Sequence, residues 1–128
     1  MSTVQKSLTV LVVDDNADQA NSLSLLLQGH GYDSHVCVNA LDCVALVERL
    51  RPDVVLLDLA MPGKSGYCIA QEIKSHPEMQ SIRLVAVTGH GQPLNRIQSQ
   101  ISGFDQHLMK PVDIEDLETI LKSVRDQE

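Results

Sequence analysis

Short apolar runs alternate along this chain with segments whose apolar residues recur at helical spacing. The runs from Leu8 to Val13 and from Val54 to Leu57 are almost entirely aliphatic and rich in valine, which is typical of strands buried on both faces. The segment from Phe104 to Met109 is interpreted as a further strand of this kind. Strands covered on both faces need helices on both sides, so the pattern indicates a parallel sheet between two helical layers.

The alternation can be followed through the whole sequence. It predicts strands near 8–13, 34–38, 53–57, 82–87 and 105–108, and helices near 17–28, 40–50, 66–75, 93–102 and 114–125. Asn39 and Asp113 suit helix starts, Pro93 suits a first helical position, and Gly103 suits a helix end. Five units with right-handed crossovers predict an α/β fold, a (βα)5 doubly wound parallel five-stranded sheet in the flavodoxin-like order 2-1-3-4-5.

Length and composition restrict the function classes. With 128 residues, of which 43% are hydrophobic, the chain fits one domain over residues 1–128, without an output domain. Two Tyr, one Phe and a net charge of -7 argue against binding to nucleic acid or to anionic membranes. Three cysteines without C-x-x-C spacing predict buried free thiols, and no signal peptide or membrane-spanning run is evident. These features predict a cytoplasmic protein.

Charged and hydroxyl side chains follow four of the predicted strands. Asp14 and Asp15 follow the first strand, Asp58 the third, Thr88 the fourth and Lys110 the fifth. Because parallel strands end along one edge of a sheet, we expect these residues to meet there. Three carboxylates in one cleft repel one another unless they hold protons or bind a cation, and oxygen ligands favour Mg²⁺.

These residue types also suit phosphoryl chemistry. An Asp carboxylate can attack phosphorus when the charge that grows on the phosphoryl oxygens is neutralised. Asp58 is the predicted nucleophile, while Lys110 would supply a positive charge and Thr88 a hydroxyl donor.

Four segments of the chain resemble the receiver domains of two-component response regulators. They are Leu11 to Asn16, Leu56 to Gly63, Val87 to Gly89 and Gly103 to Pro111, and the resemblance covers nearly the whole chain. It includes stand-alone receivers and those at the ends of hybrid histidine kinases. The resemblance implies that Asp58 accepts a phosphoryl group from a histidine kinase or a histidine phosphotransfer protein.

The resemblance also implies a role for each site residue. Mg²⁺ would be bound directly by Asp15 and Asp58, through water by Asp14, and by the backbone carbonyl of Ala60. Thr88 and Lys110 would contact the phosphoryl group, and the Lys110–Pro111 peptide would be cis.

Phosphorylation would alter a protein-binding surface on the fourth helix, fifth strand and fifth helix, which contacts an unidentified downstream protein. Leu94, Gln98 and His107 fall near this surface by the same resemblance. His107 stands where these receivers usually carry an aromatic residue that follows the threonine inward. We therefore interpret His107 as its replacement.

Two alternatives remain open. A phosphatase with an aspartate nucleophile needs a second acid two residues later, where this chain has Ala60, so no steady enzymatic turnover is expected beyond slow self-dephosphorylation. A pseudo-receiver would bind its partners without phosphorylation, although the intact acidic set argues against this.

Overall fold

The computed structural model describes residues 7–89 and 94–126, which form five strands and five α-helices in strict alternation. Two short 3₁₀ turns, Ala40–Asp42 and Pro77–Met79, precede α2 and β4. The elements are β1 (Thr9–Val13), α1 (Ala17–Gly29), β2 (Asp33–Cys37), α2 (Cys43–Leu50), β3 (Val54–Asp58), α3 (Gly66–Ser75), β4 (Arg83–Thr88), α4 (Arg96–Ser102), β5 (Gln106–Met109) and α5 (Ile114–Asp126).

The strands form one parallel sheet in the order β2-β1-β3-β4-β5, which confirms the predicted fold class and strand order. Successive residues of each strand face opposite sides, so the sheet supports two separate apolar cores. Leu11 and Val55 belong to the core that also includes residues of α2 and α3, whereas Val12 and Leu56 belong to the core beneath α1 and α5. The central strands are apolar on both faces because both faces are covered.

Pairing between β1 and β3 determines where the functional edge lies. Val12 is opposite Leu56, and Val13 is opposite Leu57. The next residues, Asp14 and Asp58, therefore leave the two neighbouring strands at the same level. The reversal of strand order between β1 and β3 opens a cleft at this edge.

Helix ends agree with most of the predicted capping residues. Asn39 accepts a hydrogen bond from the Leu41 N–H, and Asp113 accepts one from the Glu115 N–H. Gly103 ends α4 with a φ of 98°, in the left-handed region that favours glycine. The predicted start of this helix at Pro93 lies outside the described residues, and the helix that is described begins at Arg96.

The cysteines differ in their exposure. Cys37 and Cys43 are buried in one core, but Cys68 is exposed on α3, so the prediction of a buried thiol is wrong there. Ile69, Ala70 and Ile73 form the buried side of α3 and turn Cys68 towards solvent. Within residues 7–89 and 94–126, no helix has the length and apolar character needed to cross a bilayer.

Gly103→Ala is expected to lower the free energy of unfolding by about 1–2 kcal/mol, because alanine is strained at positive φ. The added Cβ would also lie 2.6 Å from Lys74 Cγ, although that flexible side chain can move. Denaturant unfolding followed by circular dichroism measures the loss. Gly29→Ala is the matched control, since Gly29 ends α1 with no atom within 4 Å of an added Cβ. Equal stability of the two variants would contradict the prediction.

Candidate functional site

Three strands deliver charged side chains to the carboxyl edge of the sheet. Asp14 follows β1 and is 7% exposed, and Asp58 ends β3 and is 3% exposed. The backbone holds both positions, since the Asp14 N–H donates to the Cys37 carbonyl at 3.1 Å and Asp58 pairs with Val87 of β4. The two carboxylates are thus placed by the sheet itself.

Lys110 bridges these two acids. Its Nζ lies 2.9 Å from Asp58 Oδ2 and 3.0 Å from Asp14 Oδ2. Partial burial opposes the charge on Lys110, but hydrogen bonds to Asp58 and Asp14 and the attraction of both carboxylates outweigh it, so the pKa of Lys110 is raised above its ordinary value. The ammonium therefore stays charged and compensates the buried acids.

Asp15 completes an acidic cluster with Asp14 and Asp58. One carboxylate oxygen from each residue lies within 4.8 Å of those of the other two, and Asp15 is the exposed member. Mg²⁺ takes oxygen ligands at about 2.1 Å and usually keeps several water ligands. Carboxylate oxygens gathered this closely are donors that Mg²⁺ prefers, so the residues present fit this ion.

Asp58 is held at both of its carboxylate oxygens. Oδ1 accepts a hydrogen bond from the Ala60 N–H at 2.8 Å, while Oδ2 accepts the one from Lys110. The structure thus places the Ala60 amide against Asp58, and a metal contact by the Ala60 carbonyl stays a prediction. The two hydrogen bonds fix the plane of the carboxylate.

Thr88 reaches the same edge from β4. It is buried, and its carbonyl accepts a hydrogen bond from the Lys110 N–H at 2.7 Å. The Lys110–Pro111 peptide is cis, as the resemblance implies. All five side chains predicted for the site therefore lie at one edge of the sheet.

A groove of about 620 Å³ runs beside the cluster, between α1 and the segment that follows β5. Apolar side chains such as Leu23 and Val112 form much of it, and Asp14, Gln19 and Lys110 line it on the side of the cluster. Asp58 is not part of its lining. The groove therefore flanks the acidic cluster without covering it.

Two residues of the site were missed from the sequence. The Asn16 N–H donates to Asp14 Oδ1 at 2.9 Å, and Gln19 Oε1 accepts from Lys110 Nζ at 3.4 Å. Asn16 also caps α1, since its side chain accepts a hydrogen bond from the Gln19 N–H. The spacing Asn-x-x-Gln is that of a capping box, a signal that could have indicated a helix start at this point.

Comparisons with known proteins identify similar chains. The family described as the response regulator receiver domain matches residues 10–122. The protein PilH of Pseudomonas aeruginosa is 33% identical over 115 residues, which cover 90% of this chain and 93% of PilH. The solved structure of a CheY-like response regulator receiver domain protein from Methanospirillum hungatei has a TM-score of 0.83 and 27% identity, and the match covers 95% of this chain and 96% of that one.

Some relatives are longer than this chain. The DNA-binding dual master transcriptional regulator RpaA of Synechocystis is 32% identical over 108 residues, which are 84% of this chain but 45% of RpaA. The chain thus spans less than half of that regulator.

Lys110→Met is expected to lower the free energy of unfolding by about 2–3 kcal/mol in metal-free buffer, because it leaves two buried carboxylates without their cation. Urea unfolding with a chelator present measures this loss. Lys122→Met is the control, since Lys122 is exposed on α5. Adding Asp58→Asn to Lys110→Met should restore part of the stability by removing one repelling charge. Unchanged stability of Lys110→Met would show that the hydrogen bonds from Lys110 to Asp14 and Asp58 contribute little to the free energy of unfolding.

Proposed function

The chain belongs to the response regulator receiver domain family, and from this we propose that Mg²⁺-dependent phosphorylation of Asp58 controls its binding to a partner protein. The phosphoryl donor is a histidine kinase or a histidine phosphotransfer protein of a two-component system. The proposal locates the protein in the cytoplasm, where such donors are loaded from ATP and where the thiols stay reduced.

The observation that carries the proposal is the environment of Asp58. This carboxylate is almost fully buried, is oriented by the Ala60 N–H and is hydrogen-bonded to Lys110. Asp14 and Asp15 add two further carboxylates within 4.8 Å. A nucleophile beside a cation and a group of metal-ligating oxygens is the arrangement that phosphoryl transfer requires.

The donor set supports Mg²⁺ as the cofactor. Asp15 and Asp58 would bind the ion directly, Asp14 through water, and the Ala60 carbonyl would add a further oxygen. When bound, Mg²⁺ would neutralise negative charge on the phosphoryl oxygens and on the acidic cluster.

The chain's own residues account for the transfer step. A lone pair of the Asp58 carboxylate forms a P–O bond while the P–N bond of phosphohistidine breaks. The electron pair of that bond stays on the leaving nitrogen, which takes up a proton from solvent. Lys110 then turns its ammonium towards a phosphoryl oxygen, and the Thr88 hydroxyl donates to another.

The alternatives predict different chemistry. A phosphatase would have to protonate a leaving alcohol, and the residue two positions after Asp58 is Ala60, which has no acid to offer. A pseudo-receiver would not need three carboxylates gathered at one edge of the sheet. The charge arrangement therefore favours phosphoryl acceptance without steady turnover, with slow loss of phosphate from Asp58.

Incubation with a small phosphoramidate and Mg²⁺ should add one phosphoryl group to the protein, seen by intact-mass spectrometry. Asp58→Asn should block this gain because it removes the nucleophile, and a chelator should block it because it removes the cation. Asp53→Asn is a matched control, since Asp53 precedes the same strand at its opposite end and binds the Thr9 N–H at 2.8 Å.

Each other outcome points to a different function. No gain in the folded wild type would indicate a pseudo-receiver and would refute the proposal. Sustained hydrolysis of phosphate monoesters would indicate a phosphatase. A gain in mass that persists in Asp58→Asn would show that another residue accepts the phosphoryl group.

We further propose that the output surface lies on α4, β5 and α5. Ile97 and Ile101 lie one turn apart on α4 and are each 72% exposed, while Met109 at the end of β5 is 64% exposed. Gln98 and His107 are also exposed, and Leu94 packs partly against the core. Exposed aliphatic residues on neighbouring elements suit a surface that binds another protein.

His107→Ala is expected to reduce the effect of phosphorylation on amide exchange in α4 and β5, because His107 occupies the position of the responding side chain. Hydrogen exchange of the free and phosphorylated protein, read by mass spectrometry, measures the effect. His76→Ala is the control, since His76 ends α3 and lies outside α4 and β5. An equal response in wild type and His107→Ala would exclude this role for His107.

A further inference from the structure

A closed ring of hydrogen bonds joins the start of α1 to the acidic cluster. Asp14 Oδ1 accepts from the Asn16 N–H at 2.9 Å, and Asn16 Oδ1 accepts from the Gln19 N–H at 3.1 Å. Gln19 Oε1 accepts from Lys110 Nζ at 3.4 Å, and Lys110 Nζ returns to Asp14 Oδ2 at 3.0 Å. The ring links one buried acid to the lysine through the first turn of α1.

The geometry of the cap leaves the Gln19 side chain available. In a capping box, the glutamine three residues after the cap turns back to the backbone N–H of the capping residue. Here Asp14 already occupies the Asn16 N–H. The Gln19 amide points instead to Lys110, across 91 residues of sequence.

Lys110 has the number of acceptors that an ammonium can use. A lysine ammonium has three N–H donors, and Nζ has acceptors on Asp58, Asp14 and Gln19. Two of these acceptors are carboxylates, which a bound metal ion and a phosphoryl group would draw away. Gln19 is neutral and is not part of the acidic cluster, so it can retain the ammonium while the other two partners change.

We propose that Gln19 is a positioning residue that holds the Lys110 ammonium beside Asp58 during phosphoryl transfer. This inference rests on the proposed function, because it assigns Gln19 a part in that same reaction. Gln19 does not touch the phosphoryl group and acts only through Lys110. The hydrogen bond between Lys110 Nζ and Gln19 Oε1 is long and solvent-exposed, and its acceptor is uncharged. Gln19 therefore contributes less to the rate of phosphoryl transfer than Lys110 does.

Gln19→Met tests the proposal, because methionine has nearly the same length but no oxygen to accept the hydrogen bond. The phosphorylation rate with saturating phosphoramidate should fall about three- to tenfold, as expected for loss of one long, solvent-exposed hydrogen bond. The Mg²⁺ affinity, measured by calorimetry, should be unchanged, because Gln19 is not a predicted metal ligand. Ser22→Ala is the matched control, since Ser22 lines the same groove one turn further along α1.

A second measurement does not depend on phosphorylation. Urea midpoints in metal-free buffer are compared for wild type, Gln19→Met, Lys110→Met and the double variant. Gln19→Met should lower the midpoint in wild type but not in the Lys110→Met background, where its partner is absent. A residue that only supports the helix would lower both by the same amount.

The two measurements separate the possible failures. A Gln19→Met rate within about twofold of wild type would refute the proposal, since the loss of one hydrogen bond should exceed this. Equal midpoint changes in both backgrounds would also refute it, and would leave the Gln19 side chain with a structural role in α1 that does not involve Lys110. If wild type accepts no phosphoryl group, the proposed function fails, while the midpoint cycle still decides whether Gln19 and Lys110 are coupled.

Discussion

The ammonium of Lys110 is the interaction on which the functional edge of this sheet depends. Asp14 and Asp58 are buried side by side because they follow neighbouring strands at the same level. Two unpaired carboxylates in that position would repel each other and would each be costly to bury. Lys110 comes from the end of a third strand and contacts both within 3.0 Å. The Lys110 side chain therefore compensates the two negative charges that the packing of the strands places side by side.

The core imposes this arrangement through the register of β1 and β3. Val12 faces the core beneath α1 and α5, while Val13 faces the one beneath α2 and α3. A shift of one residue would exchange the two faces and change the packing on both sides of the sheet. Asp14 and Asp58 are thus held at the edge by packing energies much larger than their own electrostatic terms. Stability of the core and placement of the site have the same physical origin.

The positions of the site residues could be predicted from the sequence because they stand where apolar runs end. Contacts that depend on the length and direction of a side chain could not be predicted. Asp14, Asp58 and Lys110 could be placed because each stands at the end of a strand in the predicted parallel sheet, and parallel strands end along one edge. The contact of Gln19 with Lys110 joins residues 91 apart, and no local pattern indicates it. The exposure of Cys68 depends on how α3 is rotated about its axis, which a short apolar segment does not determine.

Charge balance explains how a chemical event at Asp58 can reach the protein surface. Three carboxylates and one ammonium leave a charge of -2, which one divalent cation neutralises. Under the proposed function, phosphorylation would replace the single charge of Asp58 with the larger charge of a phosphoryl group and so would give Lys110 a new preferred partner. The backbone N–H of Lys110 is bonded to the Thr88 carbonyl at 2.7 Å, so a backbone shift at Lys110 would act on β4 and on the end of β5 together. His107 is on β5, three residues before Lys110, and is exposed, so the proposed change would reach the surface there.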